Sequence, residues 1–208
     1  MSGDDRQIDA ANPLIVVVSG PSGVGKDTLL ERMEELHSGL NFHFVVTATT
    51  RDPRPGEADG VNHHFLSRDQ FQDMIRNDEL LEWAEVYGNY YGVPIAQVTD
   101  ALSAGKHVLC RVDVQGAARI RTLVPEALFV FVLPPDKDAL RRRLIERDQD
   151  SEESIDRRLK SAKGEIEQAP QFDEQLINHD DRLDEIVEEL VQIIETESRR
   201  DPPRKMDL

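Results

Sequence analysis

The chain holds 208 residues, with 41 acidic against 25 basic side chains and a formal charge of −16. A length of this order suits one packed domain with insertions rather than two independent ones, and an acidic balance disfavours nonspecific attraction to nucleic acid or to an anionic membrane. The single cysteine, Cys110, lies in an apolar run, so no disulfide framework exists within the chain and the residue reads as a small core side chain in a reducing cytosol.

Residues 1–12 are polar and acidic, carry no apolar signal region and are expected to fray. No stretch has membrane-spanning length, and the expectation is a soluble, cytoplasmic protein with neither a nucleic-acid nor a membrane partner. After Pro13 the unbroken apolar run Leu14 to Val18 predicts a strand buried on both faces, followed by a glycine-rich loop from Ser19 to Gly25. Lys26 opens a helix to about His37 that turns Leu29, Leu30, Met33 and Leu36 toward the sheet. Gly20, Gly25 and Lys26 fit the spacing G-x-x-x-x-G-K, in which the backbone amides of Gly20, Pro21's successors Ser22, Gly23 and Val24, and Gly25 can face a phosphate chain while the lysine reaches its outer oxygens. The residue after that lysine is normally Ser or Thr, whose hydroxyl binds Mg²⁺, and here it is Asp27. Thr28 is no substitute, since one step along a helix turns a side chain by about 100°.

Phe42 to Val46 predicts a second strand. The stretch Thr47 to Glu57 is too rich in proline for regular structure, and its Arg51 and Arg54 can hold a phosphate through forked, charge-assisted hydrogen bonds. A short strand over His63 to Leu66, a helix over Asp69 to Asn77, a strand over Leu80 to Tyr87 and a turn at Gly88 to Gly92 carrying Tyr90 and Tyr91 complete an insertion at residues 47–93. Pro94 starts a helix ended by Gly105. His107 to Val112 is the next core strand, closed by Asp113 at the end where ligands of open parallel sheets bind. A helix over Asp113 to Leu123 and a strand over Leu128 to Leu133 follow. Two helices span Asp136 to Gln168, broken near 148–151, and carry Arg141, Arg142, Arg143, Arg147, Arg157 and Arg158. A charge run of this kind is usually a solvated face, but beside a phosphate loop it supplies the arginines that phosphoryl transfer needs. A short strand at Gln175 to Asn178, a helix from Asp181 to Arg199 and a disordered tail over 198–208 close the chain.

These residues resemble guanylate kinase over about Pro13 to Glu195. The resemblance rests on Gly20 to Lys26, Thr49-Thr50-Arg51-x-Pro53-Arg54-x-Gly56-Glu57, Glu82-x-Ala84-Glu85, Gly88-Asn89-Tyr90-Tyr91-Gly92, Asp113-x-Gln115-Gly116 and the arginine-rich pair of helices. It implies an α/β P-loop NTPase three-layer fold with a five-stranded parallel core sheet (13–46, 94–135 and 166–197), a small α+β GMP-binding insertion (47–93) and a helical lid (136–165). It implies Mg²⁺-dependent transfer of the γ-phosphoryl of ATP to GMP, and to dGMP, by a monomer or homodimer. Arg51, Arg54 and Tyr91 would then grip the GMP phosphate, Glu82 would read guanine with Thr47 and Asp113 nearby, and Asn178 would lie near the adenine of ATP. Lys26, Arg143, Arg147 and Arg158 would stabilise the phosphoryl group in flight. A carboxylate matches the adjacent N1–H and N2 amine of guanine and would be left unpaired against adenine, at a cost of roughly 1–3 kcal/mol.

Four positions depart from the family pattern. Asp27 stands for the metal-binding hydroxyl and Arg111 for an acidic residue two before Asp113, which read together as a carboxylate moved from the strand end to the loop, where Asp27 would bind Mg²⁺; the alternative is that Asp27 caps the helix or pairs with Arg111. His63 replaces a tyrosine at the GMP phosphate, so GMP binding is expected to strengthen as His63 protonates near its ordinary pKa of about 6.5. Val93 replaces a hydroxyl residue near guanine. Two rival readings are a ribose 1,5-bisphosphate phosphokinase, which shares Asp after the lysine and Val after Tyr-Tyr-Gly, and a silent phosphoprotein-binding domain, which would lack the loop and the lid arginines present here.

Overall fold

A computed structural model describes residues 12–54, 56–86, 88–147 and 152–208. Its centre is the strand β1 (Ile15–Ser19), followed by α1 (Lys26–Leu36) and β2 (Phe42–Phe44). The next segment builds β3 (Ala48–Thr49), β4 (His64–Phe65), α2 (Arg68–Arg76), β5 (Leu80–Val86) and β6 (Asn89–Pro94). The chain then makes α3 (Ile95–Ser103), β7 (His107–Arg111), α4 (Val114–Leu123), β8 (Leu128–Leu133), α5 (Lys137–Arg147), α6 (Glu152–Ile166), β9 (Glu174–Ile177) and α7 (Leu183–Ser198).

The core sheet is five-stranded in the order β2-β7-β1-β8-β9, and every pairing in it is parallel. Successive side chains of a strand face opposite layers, and β1 uses both. Val16 and Val18 pack with Leu29 and Met33 of α1 and with Ile186, Val187, Leu190 and Ile194 of α7. Ile15 and Val17 pack with Val98 and Ala101 of α3 and with Ala117 and Ile120 of α4. All five residues of β1 are buried, which is why its sequence shows no alternation. Each fully buried Val, Leu or Ile contributes about 1.5–3 kcal/mol to folding, so β1 is among the most firmly anchored parts of the chain, and its end is where the glycine loop begins.

The insertion folds as a second, mixed sheet in the order β4-β3-β6-β5, with β3 parallel to β4 and β6 antiparallel to both β3 and β5. Its small core joins Ala48, Phe71 and Leu80, with Phe71 stacked on Tyr90. The N-terminus of α2 is closed by a reciprocal pair, Ser67 accepting from the Gln70 amide and Gln70 from the Ser67 amide.

Several expectations need correction. Ala48 and Thr49 are strand rather than loop, because Thr47 O and Thr49 O accept from the amides of His64 and Leu66 across the pair. The turn expected at Gly88 to Gly92 is confined to its start; from Asn89 onward the chain is β6, and Tyr90 and Tyr91 point to opposite faces of it. Leu36 is 41% exposed at the frayed end of α1 instead of facing the sheet. The C-terminal segment is not a loose tail: Arg204 bonds Glu197 and the carbonyls of Glu126 and Ala127, and Met206 packs beneath β1 with its sulfur 3.3 Å from the Ile15 amide nitrogen. Residues 1–11, expected to fray, lie outside the described residues.

Candidate active site

The loop after β1 is shaped by glycines. Gly20 takes φ +147°, and a Cβ there would lie 2.3 Å from the Val132 carbonyl oxygen, so β8 can approach only a glycine. Gly25 takes φ +95° and caps α1 without a side-chain oxygen to offer, so the first amides of the helix face outward for an anion. Lys26 Nζ donates to Gly20 O at 2.7 Å and Pro21 O at 3.3 Å. Burial draws its pKa down to about 8, against the opposing charge of Asp27 and Glu165. Asn178, 5% exposed, donates from its amide to Val24 O at 2.8 Å and so stands directly behind the loop.

Across the carboxyl end of the sheet, two cavities meet. One, of about 500 Å³, is lined by Arg51, Arg54, Glu57, His63, Asp27 and Arg111, among others. Arg51 forms a two-pronged pair with Glu57 at 2.8 and 2.9 Å, and Arg51 is the main reason the Glu57 carboxyl is pulled down to about 2. The second cavity, about 310 Å³, is lined by Thr47, His63, Glu82, Ala84, Tyr91, Asp113, Val112, Arg111 and Asp27. Glu82 is 8% exposed, and burial first, then the charge of Asp113, pushes its pKa up to about 7. Asp113 itself caps α4, accepting from the Gly116 amide at 2.7 Å.

His63 donates or accepts through Nδ1 with Thr47 Oγ1 at 2.8 Å. Its pKa is lowered, by burial and then by the charges of Arg51 and Arg111. The protonation expected near the ordinary value is therefore displaced to lower pH. Val93 is fully buried among Ile15, Val17 and Leu81, packed into the core on β6 beside Glu82 rather than open to the cavity.

A third cavity, about 550 Å³, lies on the other side of the loop between Gly23, Gly25, Thr28, Arg143, Asn178 and Asp180. Asp27 lines this cavity as well as the other two. It pairs with Arg111 at 2.5 Å, both side chains about one-third exposed (36% and 34%). Arg143 bonds Asp180 and the carbonyls of Val24 and Asn178, at 2.8, 2.9 and 2.7 Å. Arg158 donates to Ser22 Oγ at 3.2 Å. The Arg147 side chain lies outside the described residues.

Two groups at the site carry no short-motif signal. Gln97 on α3 clamps Val46 at both its carbonyl and its amide (2.7 and 2.9 Å), fixing the point where the chain leaves β2 for Thr47. Glu165 on α6 accepts from the Ser22 amide at 3.2 Å. The only trace of Glu165 in the sequence is its place seven residues after Arg158, on the same helix face.

Comparison with known proteins shows the family. The family model described as guanylate kinase matches residues 12–197. Among similar proteins is a guanylate kinase of Lactococcus lactis subsp. lactis (strain IL1403), 45% identical over 187 residues that cover 90% of this chain and 89% of the relative. Another is a guanylate kinase of Caulobacter vibrioides, 49% identical over 168 residues, 80% of this chain and 78% of that one. A crystal structure of guanylate kinase from Anaplasma phagocytophilum superposes with a TM-score of 0.72 at 31% identity, covering 93% of this chain and 90% of that one.

Proposed function

The chain belongs to the guanylate kinase family, and on that premise we propose that it moves the γ-phosphoryl of ATP to GMP, and to dGMP, where the three cavities converge. One observation carries the reading: an arginine-lined cavity continuous with a buried carboxylate opens, at Asp27, onto the phosphate loop. The acceptor phosphate would lie against Arg51 and Arg54 with Tyr91 beside them, and guanine against Glu82, Thr47 and Asp113. Domain roles follow, with 47–93 holding the acceptor, 136–165 closing over the donor, and the core carrying the loop.

The chemistry asks little covalent work of the protein. Lys26 must leave the Gly20 and Pro21 carbonyls for the outer phosphate oxygens, and the loop amides other than that of Ser22, which donates to Glu165 instead of facing the phosphate as expected, take the rest of the charge. Arg143 and Arg158 already bond loop atoms, Val24 O and Ser22 Oγ, and would turn from them toward a transferring phosphoryl. Arg147 is the third arginine of this set by sequence. Holding two polyanions in line, with water excluded by the lid, lowers the barrier by positioning and electrostatic complement rather than by an intermediate.

The donor set suits Mg²⁺. Among the described residues no group of three or more His, Cys, Asp or Glu side chains could hold a metal, and Mg²⁺ in such enzymes is held by one or two carboxylates together with substrate phosphates. Asp27 would supply that carboxylate, with Arg111 keeping it oriented. The chemistry a Mg²⁺ ion held by Asp27 would supply there is neutralisation of phosphate charge.

No helix among the described residues is long and apolar enough to cross a membrane. The family match outweighs the two features, Asp27 and Val93, that are shared with the ribose 1,5-bisphosphate phosphokinase reading. The test is a coupled assay offering purified protein ATP and magnesium with GMP, AMP or ribose 1,5-bisphosphate in parallel. GDP formed from GMP alone is the expected result; a preferred non-guanine acceptor would overturn it.

A further inference from the structure

The phosphate loop is held from outside at a residue that its own backbone bonding skips. Within the loop, the Val24 amide donates to Pro21 O at 3.2 Å, bracketing Ser22. Ser22 is instead gripped by α6 at two atoms: its amide donates to Glu165 Oε2 at 3.2 Å, and its hydroxyl accepts from Arg158 at 3.2 Å. Glu165 is itself oriented, since Ser161 Oγ donates to its other oxygen at 2.9 Å. Arg158, Ser161 and Glu165 fall at i, i+3 and i+7, one face of a single helix. The neighbouring loop residue shows the same intimacy in apolar form: a Cβ on Gly23 would lie 2.7 Å from Leu144 Cδ2, and Leu144 belongs to the seam of Leu140, Leu159 and Ala162 that joins α5 to α6.

We infer that Glu165 is a positioning residue for the phosphate donor, fixing the Ser22 turn against α6 and thereby setting where the loop amides and Arg158 stand when ATP arrives. This rests on the phosphoryl-transfer reading above. A carboxylate at an anion-binding loop repels the incoming phosphates, so its placement there is favourable only through what it holds. With Ser22 pinned, the loop is ordered before the nucleotide binds, and less conformational entropy is lost at that step. The same contact ties the approach of the lid helix to the shape of the loop.

The experiment compares wild type with Glu165→Gln, Glu165→Ala and Ser161→Ala. ATP is titrated by calorimetry with magnesium and without GMP; KM for each substrate, kcat and Tm are measured alongside. Glu165→Ala is expected to weaken ATP binding about tenfold, the size of losing one hydrogen bond to a charged acceptor, with KM for GMP unchanged. Glu165→Gln, which keeps an oxygen able to accept from the Ser22 amide, restores most of that loss, and Ser161→Ala gives a smaller effect in the same direction should Glu165→Ala not fold. Unchanged ATP affinity overturns the inference. So does tighter ATP binding in Glu165→Ala, which would make the carboxylate a competing anion, and so does a parallel rise in both KM values with a fall in Tm, which would make it a scaffold contact only. Wild-type protein that forms no GDP would sink the proposed function, while ATP affinities read without GMP still decide the role of Glu165.

Discussion

Glu82 and Asp27 are the two residues whose chemistry is most exposed to test. With its carboxyl pushed up to about 7 by burial and by Asp113, Glu82 is part protonated near neutrality, whereas guanine's paired donors require the carboxylate. KM for GMP is therefore expected to fall as pH rises from 6 to 8, and in Glu82→Gln that step disappears while kcat/KM for GMP drops about 10²-fold, as for a lost hydrogen bond to a charged group. The same group acts on stability in the opposite sense. Its folded pKa lies above its unfolded value, so the folded protein binds more protons between about 4.5 and 7 and stability declines as pH rises through that window. Glu82→Gln should accordingly be more stable than wild type at pH 8, by on the order of 3 kcal/mol, and converge with it at pH 4. For Asp27, the swap to Ser should raise the magnesium concentration needed for half-maximal turnover; kinetics unchanged across a magnesium titration would leave the Arg111 pair as its whole role. That pair was legible in the sequence only as two oddities 84 positions apart, and the 2.5 Å contact joins them.

At the scale of elements, the first turn of α4 is what makes room for Glu82. A Cβ on Gly116 would stand 3.0 Å from Glu82 Oε2 and 3.0 Å from Val112 Cβ, so Gly116→Ala should displace the carboxylate and raise KM for GMP several-fold with KM for ATP unmoved, a split that initial-rate kinetics would show. The cap of α2, Ser67 and Gln70, lines none of the three cavities. Ser67→Ala should cost about 1 kcal/mol, visible in a denaturant midpoint and absent from KM for ATP. The elements the sequence hid were those where local signals oppose tertiary pairing. Pro53 and Pro55 made the whole stretch from Thr47 read as loop, yet Ala48 and Thr49 find partners on both sides in β4 and β6. Two glycines around Asn89, Tyr90 and Tyr91 read as a turn, yet the segment is a strand antiparallel to β5. By contrast β1 and β8 were plain as runs of apolar residues, because a parallel strand covered on both faces needs no polar positions.

For the molecule as a whole, the core strands and the phosphate loop followed from pattern and the five-stranded parallel sheet from the family resemblance, while long-range side-chain contacts such as Glu165 to Ser22 did not, since no spacing rule links α6 to a loop 143 residues earlier. His107 is another such contact. It is fully buried, accepts from the Leu14 amide at 3.2 Å, and burial lowers its pKa to about 4. Since the unfolded chain takes up this proton near 6.5 and the folded one does not, His107 supports the fold above about 6.5, and that support is lost as pH falls toward 4. A His107→Leu variant should lose stability at pH 7, by about 1 kcal/mol for the Leu14 amide left without an acceptor, yet show a shallower decline in Tm between pH 6.5 and 4.5 than wild type.

Met206 lies against both apolar layers beneath β1, and Arg204 is latched to Glu197 and to the carbonyls of Glu126 and Ala127. The support under the strand that leads into the glycine loop thus comes from chain beyond α7, and Met206→Ala is expected to lower Tm by withdrawing that side chain from both layers at once.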